Sequence, residues 1–169
     1  MRNSKVKGFT LIELIVVIAI IGILAAILVP SMLGYVKNSR ITQANANAKQ
    51  VYTSVAAALT QASIDGVVLS EETEETGTNY DGITGSNLSI TIGESTLDLT
   101  DYLGEGFSGV GSANIKPLSY TIVYANWAAS DDLLTSEAQK QYKAEEQKEL
   151  DGIIGCYPLL GAEVEGEGE

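Results

Sequence analysis

The chain has 169 residues and a formal net charge of −12, with 10 Lys and Arg residues against 22 Asp and Glu. Such an acidic chain is not expected to bind nucleic acid, because phosphate groups are recognised by Lys and Arg. It contains no histidine and one cysteine, Cys156, so an internal disulfide is excluded and His-based catalytic triads and zinc sites are disfavoured. We expect Cys156 to be a small buried apolar residue on a strand.

An apolar stretch of 21 residues, Phe9 to Val29, follows a short basic leader at residues 1–8. As a helix it would be about 31 Å long, close to the thickness of the hydrocarbon core of a bilayer. Glu13 is its only charged residue, and no Ala-x-Ala-like cleavage site precedes Pro30, which disfavours an ordinary signal peptide. The stretch therefore predicts a membrane-spanning helix with the leader in the cytoplasm and the rest of the chain outside.

The helical pattern continues beyond this stretch to about Ser63. Apolar residues recur at spacings of three and four along one face, at Ala44, Ala48, Val51, Tyr52, Val55, Leu59 and Ala62. We predict one continuous helix from about Phe9 to Ser63, apolar on all sides in its first half and amphipathic in its second. Gly22 and Pro30 are predicted points where the helix breaks or loosens. The alternative is that Gly and Pro are simply common in membrane helices.

The rest of the chain predicts strands, loops and one short helix. Strands are predicted by alternating or β-branched residues at 87–92, 95–100, 118–127 and 152–157, the first two forming a hairpin across Gly93 and Glu94. Polar, Gly-rich sequence predicts loops at 70–86 and 104–114. Ser136 and Gln139 resemble a capping box that opens a helix over about 137–150.

These elements predict an α+β fold, in which a long N-terminal α-helix packs on a small antiparallel β-sheet head domain. The predicted boundaries are a leader at 1–8, the membrane-embedded helix half at 9–34 and an extracellular head at 35–169. Within the head we assign the amphipathic helix half to 35–63, the loops, sheet and short helix to 64–162, and an acidic, disordered tail to 163–169.

The junction Lys7-Gly8-Phe9-Thr10-Leu11-Ile12-Glu13, followed by the apolar run and Pro30, resembles the class III leader and N-terminal helix of type IV prepilins and pseudopilins. The resemblance implies a long helix followed by a small strand-rich head. It also implies that a membrane aspartyl peptidase cuts after Gly8 and then methylates the new N-terminus at Phe9. The alternative is an uncleaved single-pass anchor that happens to contain Gly8.

Glu13 is a costly residue in this setting. An ionised side chain at mid-span costs about 2.5–3.5 kcal/mol on insertion scales, and less near the interface, so such residues usually have a function. Cleavage after Gly8 would create a cation, the amine of Phe9, which can pair with Glu13 of its own chain or of a neighbour. The resemblance favours the neighbour, so that the pair sets the register of assembly. The alternative is that Glu13 extends to the headgroups without a partner.

The resemblance thus implies a structural subunit of a type IV pilus-like surface filament, made as a single-pass membrane protein. The implied partners are other copies of the chain in a helical homopolymer, a prepilin peptidase, an assembly ATPase with its platform protein, and membrane lipid before assembly. Two alternatives are a pseudopilin of a type II secretion or competence system and a monomeric membrane-anchored extracellular binding domain.

The sequence predicts no catalytic, cofactor-binding or metal-binding residues. Asp131, Asp132 and the acidic residues at 71–75 lack the spacing of an EF-hand and predict solvated loops rather than calcium sites. The chain also lacks the C-terminal cysteine pair found in many members of the resembled family. Its last loop is therefore expected to be held without an internal disulfide.

Overall fold

The computed structural model describes residues 9–69, 77–104 and 106–161. The predictions for the leader, for the acidic stretch 70–76 and for the tail 163–169 lie outside these residues. The chain divides into two compact units, the first ending at Lys37 and the second beginning at Asn38.

The predicted long helix is confirmed as α1, Leu11–Asp65. The helix continues without interruption through Gly22 and Pro30. That it loosens at these two residues when the chain leaves the membrane stays a prediction. In the first unit every side chain from Phe9 to Tyr35 is exposed, and this part of α1 is long and apolar enough to cross a membrane.

The second unit buries the predicted apolar face of α1. Ala44, Ala48, Val51, Val55, Leu59 and Ala62 are all buried, and Tyr52 is partly buried. Because burying one Val or Leu side chain contributes about 1.5–3 kcal/mol, this contact is what fixes the second half of the helix on the head.

Six strands follow α1 in the part of the chain that the structure describes: β1 (Thr78–Thr84), β2 (Ser89–Ile92), β3 (Ser95–Asp98), β4 (Val110–Lys116), β5 (Thr121–Ala128) and β6 (Ile154–Tyr157). β1, β4, β5 and β6 form an antiparallel sheet in that order, and β2 and β3 form a separate hairpin. The short helices are α2 (Thr100–Leu103) and α3 (Ala144–Glu149), with 3₁₀ turns at Pro117–Ser119 and Asp131–Leu133.

The predicted α+β fold is confirmed, and so are its four strand assignments. The hairpin turns at Gly93, whose φ of +60° suits glycine, and β5 and β6 lie within or beside the predicted ranges 118–127 and 152–157. Cys156 is buried in β6, as predicted.

Both predicted loops were wrong in part, because each contains a strand. Residues 104–114 include most of β4, which lies inside the sheet and is buried along nearly its whole length. Its small residues gave no strand pattern, yet α1 requires them: a Cβ on Gly111 would lie 3.0 Å from Cγ2 of Val51. Residues 70–86 include β1, a polar edge strand whose pairing with β4 shifts register between Tyr80 and Ile83.

The helix predicted over 137–150 was also wrong at its start, because only α3 forms. The backbone ahead of α3 is bound to side chains of the sheet instead of to itself. The hydroxyl of Tyr124 donates to the Gln139 carbonyl at 2.9 Å, and Nδ2 of Asn126 donates to the Lys140 carbonyl at 3.0 Å. These bonds satisfy the two carbonyl groups in a non-helical conformation and so compete with helix formation.

Two hydrophobic clusters stabilise the second unit. The main one joins α1, the sheet and the hairpin, and its largest buried members are Leu59, Ile83, Ile90, Ile92, Leu99 and Ile115. The other joins β4, β5 and β6 to the segment around α3, and consists of Val110, Ala128, Leu134, Tyr142, Ile154 and Cys156. Because side chains alternate between the faces of a strand, the clusters lie on opposite faces of the sheet.

Candidate assembly site at the start of the long helix

The first turn of α1 holds the predicted acidic residue in a defined position. Thr10 directly precedes Leu11, the first helical residue, and its backbone N–H and its hydroxyl both donate to Oε2 of Glu13, at 2.8 and 2.7 Å. The backbone N–H of Glu13 donates back to the Thr10 hydroxyl at 3.4 Å. This reciprocal arrangement is a capping box, which satisfies two N–H groups that have no partner inside the helix.

The capping box leaves one side of the carboxylate open. Both donors from Thr10 reach the same oxygen, Oε2, and no described residue donates to Oε1 of Glu13. A carboxylate has about four lone-pair positions, so Oε1 retains its capacity to accept from a cation. The position of Glu13 is therefore fixed by its own chain, while half of its carboxylate remains available.

The surroundings of Glu13 are apolar and uncovered. Large exposed side chains include Phe9, Leu11, Ile12, Leu14, Ile15, Val16, Val17, Ile18, Ile20 and Ile21, and Phe9 is 90% exposed. Exposed apolar surface of this extent is unfavourable in water and marks contact with a membrane or with another protein. An ion pair formed here would be screened much less than one at an aqueous surface.

Among the sequence-predicted site residues, Phe9 and Glu13 lie at the same end of α1, and Gly22 and Pro30 lie further along it. Gly8 is outside the described residues. The role of Thr10 was not among the predictions from the sequence, although a Thr three residues before a Glu at the start of an apolar run is the signal of a capping box.

The remaining ionisable groups do not form a second centre in the part of the chain that the structure describes. No group of three or more His, Cys, Asp or Glu side chains there could hold a metal ion. Asp131 and Asp132 are exposed on a 3₁₀ turn, and the acidic residues at 71–75 lie outside the described residues. Burial raises the pKa of the Cys156 thiol, which makes it a poor nucleophile at neutral pH.

Comparison with known proteins identifies the N-terminal region. Residues 3–29 match the family model described as the prokaryotic N-terminal methylation motif. The chain is 38% identical over 96 residues to a fimbrial protein of Pseudomonas aeruginosa. The aligned region covers 56% of this chain and 60% of that protein. The resemblance to type IV pilins that the N-terminal junction indicates is confirmed.

Two further relatives are named as type IV major pilins. The chain is 39% identical over 106 residues to a type IV major alpha-pilin of Moraxella bovis, covering 63% of this chain and 65% of that protein. It is 49% identical over 51 residues to a type IV major pilin of Myxococcus xanthus, and this aligned region covers 30% of this chain and 23% of that protein. The chain thus spans less than two thirds of the length of these relatives. No solved structure matches it significantly.

Proposed function

We propose that the chain is a structural subunit of a type IV pilus-like surface filament. In this proposal it is made as a single-pass membrane protein, cleaved between Gly8 and Phe9, methylated at the amine of Phe9 and polymerised through the first half of α1. The observation that carries the proposal is an exposed apolar helix with one carboxylate, Glu13, in its first turn. Thr10 fixes this carboxylate through Oε2 and leaves Oε1 open to a further donor.

The apolar side chains hold the assembled subunit in the filament. Lipid covers them before assembly, and the same segment of other copies covers them in the filament. Burying one Ile or Leu contributes about 1.5–3 kcal/mol relative to water, so a dozen such residues hold a subunit without covalent links. A repeated head-to-tail contact that does not close into a ring produces a helical filament.

Glu13 supplies the register. Cleavage after Gly8 creates a positively charged amine on Phe9, which is as costly in an apolar environment as the carboxylate is. Because Thr10 already occupies Oε2 of Glu13, the free oxygen Oε1 suits an amine that arrives from a neighbouring copy. The pair cancels both charges at one relative position of the two subunits.

The proposed processing and assembly steps imply specific partners. A prepilin peptidase acts at Gly8, which has no side chain and leaves the backbone accessible. An assembly ATPase and its platform protein move the subunit from lipid into the filament. The names of the relatives support a pilus subunit over a pseudopilin, and the filament would lie on the cell surface.

Processing at Gly8 is tested by the N-terminus of the surface protein. Filaments sheared from cells and identified by electron microscopy should contain a chain that begins at Phe9 and carries one added methyl group, as measured by mass spectrometry. Chains in a strain without prepilin peptidase should retain Met1 and stay in the membrane fraction. A surface protein that still begins with Met1 would contradict cleavage and the proposed function with it.

Thr10 should contribute to assembly by holding the carboxylate of Glu13. Replacing Thr10 by Val keeps the shape of the side chain but removes the bonds of its hydroxyl, and losing a helix cap costs about 0.5–2 kcal/mol. We expect several-fold fewer filaments in the sheared fraction at an unchanged amount of membrane subunit. Thr10→Ser retains the hydroxyl and should behave as the unmodified chain does. Equal filament yields from Thr10→Val and Thr10→Ser would show that the hydroxyl is unimportant.

A further inference from the structure

The C-terminal segment, residues 129–161, is held on the head without any covalent crosslink, since Cys156 is the only cysteine in the chain. It contains α3 and β6, and β6 is the last strand of the sheet, paired with β5 over four residues. Its apolar side chains belong to the smaller hydrophobic cluster rather than to the main one. The segment therefore packs in a core separate from the main one, which it shares with Val110 of β4 and Ala128 of β5.

An amide pair between the buried Gln147 and the partly buried Asn45 joins this segment to α1. Nδ2 of Asn45 donates to Oε1 of Gln147 at 3.1 Å, and Nε2 of Gln147 donates to Oδ1 of Asn45 at 2.7 Å. Gln147 is 1% exposed, and its Nε2 also donates to the carbonyl of Ile154 at 3.0 Å. The backbone N–H of Cys156 donates to Oδ1 of Asn45 at 2.9 Å. One side chain of α1 thus contacts both α3 and β6.

Two more side chains of α1 extend the same contact. Asn45, Lys49 and Tyr52 follow at helical spacing and lie on one side of α1. The ring of Tyr157, at the end of β6, packs edge-on against Tyr52 with centroids 5.2 Å apart, and Nζ of Lys49 lies 5.2 Å from the same ring. The segment consequently rests on directional contacts that break together when β6 leaves α1.

We propose that the C-terminal segment is a non-covalent strap that opens as a unit separate from the main core, with the Asn45–Gln147 pair as its latch. Hydrogen bonds between amides shielded from water depend strongly on geometry, and removing Asn45 leaves the buried Gln147 without its partner. Segments with a small core of their own open locally with less free energy than global unfolding needs. Opening uncovers the edge of β5, whose backbone groups lose the hydrogen-bond partners that β6 provides.

The single cysteine makes opening measurable in the full-length chain in detergent micelles. Cys156 is fully buried, so a thiol reagent such as 5,5′-dithiobis(2-nitrobenzoic acid) reacts with it only when the strap opens. Hydrogen exchange of the β4 amides, followed by mass spectrometry, reports on the main core of the same sample. We expect Cys156 to become accessible at least about tenfold more often than the β4 amides.

The latch is tested with Asn45→Ala and Gln147→Ala. Each leaves buried partners unsatisfied, so we expect thiol labelling to accelerate roughly tenfold to a hundredfold, while exchange in β4 changes far less. The matched control is Gln43→Ala, because Gln43 and Asn47 form an exposed amide pair on α1, at 3.1 Å, that does not contact the segment. It should leave the labelling rate unchanged.

Two results would overturn the proposal. If Cys156 and the β4 amides open with the same free energy in the unmodified chain, the head is one cooperative unit and there is no strap. If the latch variants label no faster than Gln43→Ala, the amide pair does not set the opening. The comparison within the unmodified chain decides the first point even if a latch variant does not fold. The test concerns the head alone, so failure of filament assembly does not affect it.

Discussion

Filaments should be absent from the sheared fraction of cells in which Glu13 is replaced by Ala, although the subunit still enters the membrane. Removing an acidic side chain makes insertion easier, because a charge within the span is costly. Assembly suffers because the incoming amine of Phe9 loses its partner, and an unpaired buried charge costs about 3–5 kcal/mol. Quantifying subunit in sheared and membrane fractions, with electron microscopy of the sheared material, measures both effects.

Two further variants separate charge from packing at this position. Glu13→Gln keeps the size of the side chain and can still accept a hydrogen bond, but it cannot neutralise the amine, so it should fail as Glu13→Ala does. Val16→Ala removes only apolar surface from an exposed neighbour on α1 and should lower the yield modestly. Normal filaments from Glu13→Gln would mean that a hydrogen bond suffices and that charge pairing is not required.

Local pattern was enough to predict the helix and the hairpin. α1 is apolar on all sides in its first half and has an apolar face of helical period in its second half, and Gly93 marks the turn between β2 and β3. β4 could not be predicted in the same way, because its small residues are suited to the close approach of α1, not to an alternating surface. The start of α3 depends on side chains from β5, which are distant in sequence, that bind its preceding carbonyl groups.

The candidate site, too, could be predicted from the sequence only in part. Glu13 could be predicted as a site residue because a charge in an apolar span is costly and usually has a function. Phe9 could be predicted because it directly follows Gly8 in the junction that resembles a prepilin cleavage site. The unequal use of the two carboxylate oxygens by Thr10 is a matter of geometry and could be seen only in the structure. Likewise, the sequence around Gly155 predicts a strand but does not indicate that this glycine lies against the backbone of α1.

Gly155→Ala should be among the most destabilising single substitutions in the head. A Cβ at this position would lie 1.9 Å from the carbonyl oxygen of Ala44 and 2.9 Å from the backbone nitrogen of Asn45. These are helix backbone atoms and cannot rotate away, so β6 must move off α1. Overpacking costs about 1–3 kcal/mol and occasionally more, and here we expect the upper end, because the bond from Cys156 to Asn45 is lost as well.

Gly152→Ala provides the matched control three residues earlier. A Cβ there would lie 2.7 Å from Cδ2 of Leu133, the end of a flexible side chain that can change rotamer, so we expect a loss below about 1 kcal/mol. Urea denaturation of the full-length chains in detergent, followed by circular dichroism, compares the two. Ala44→Gly should not rescue Gly155→Ala, because the clash is with the carbonyl group and not with the methyl group of Ala44. Equal stability of the Gly152 and Gly155 variants would mean that β6 does not lie directly against the backbone of α1.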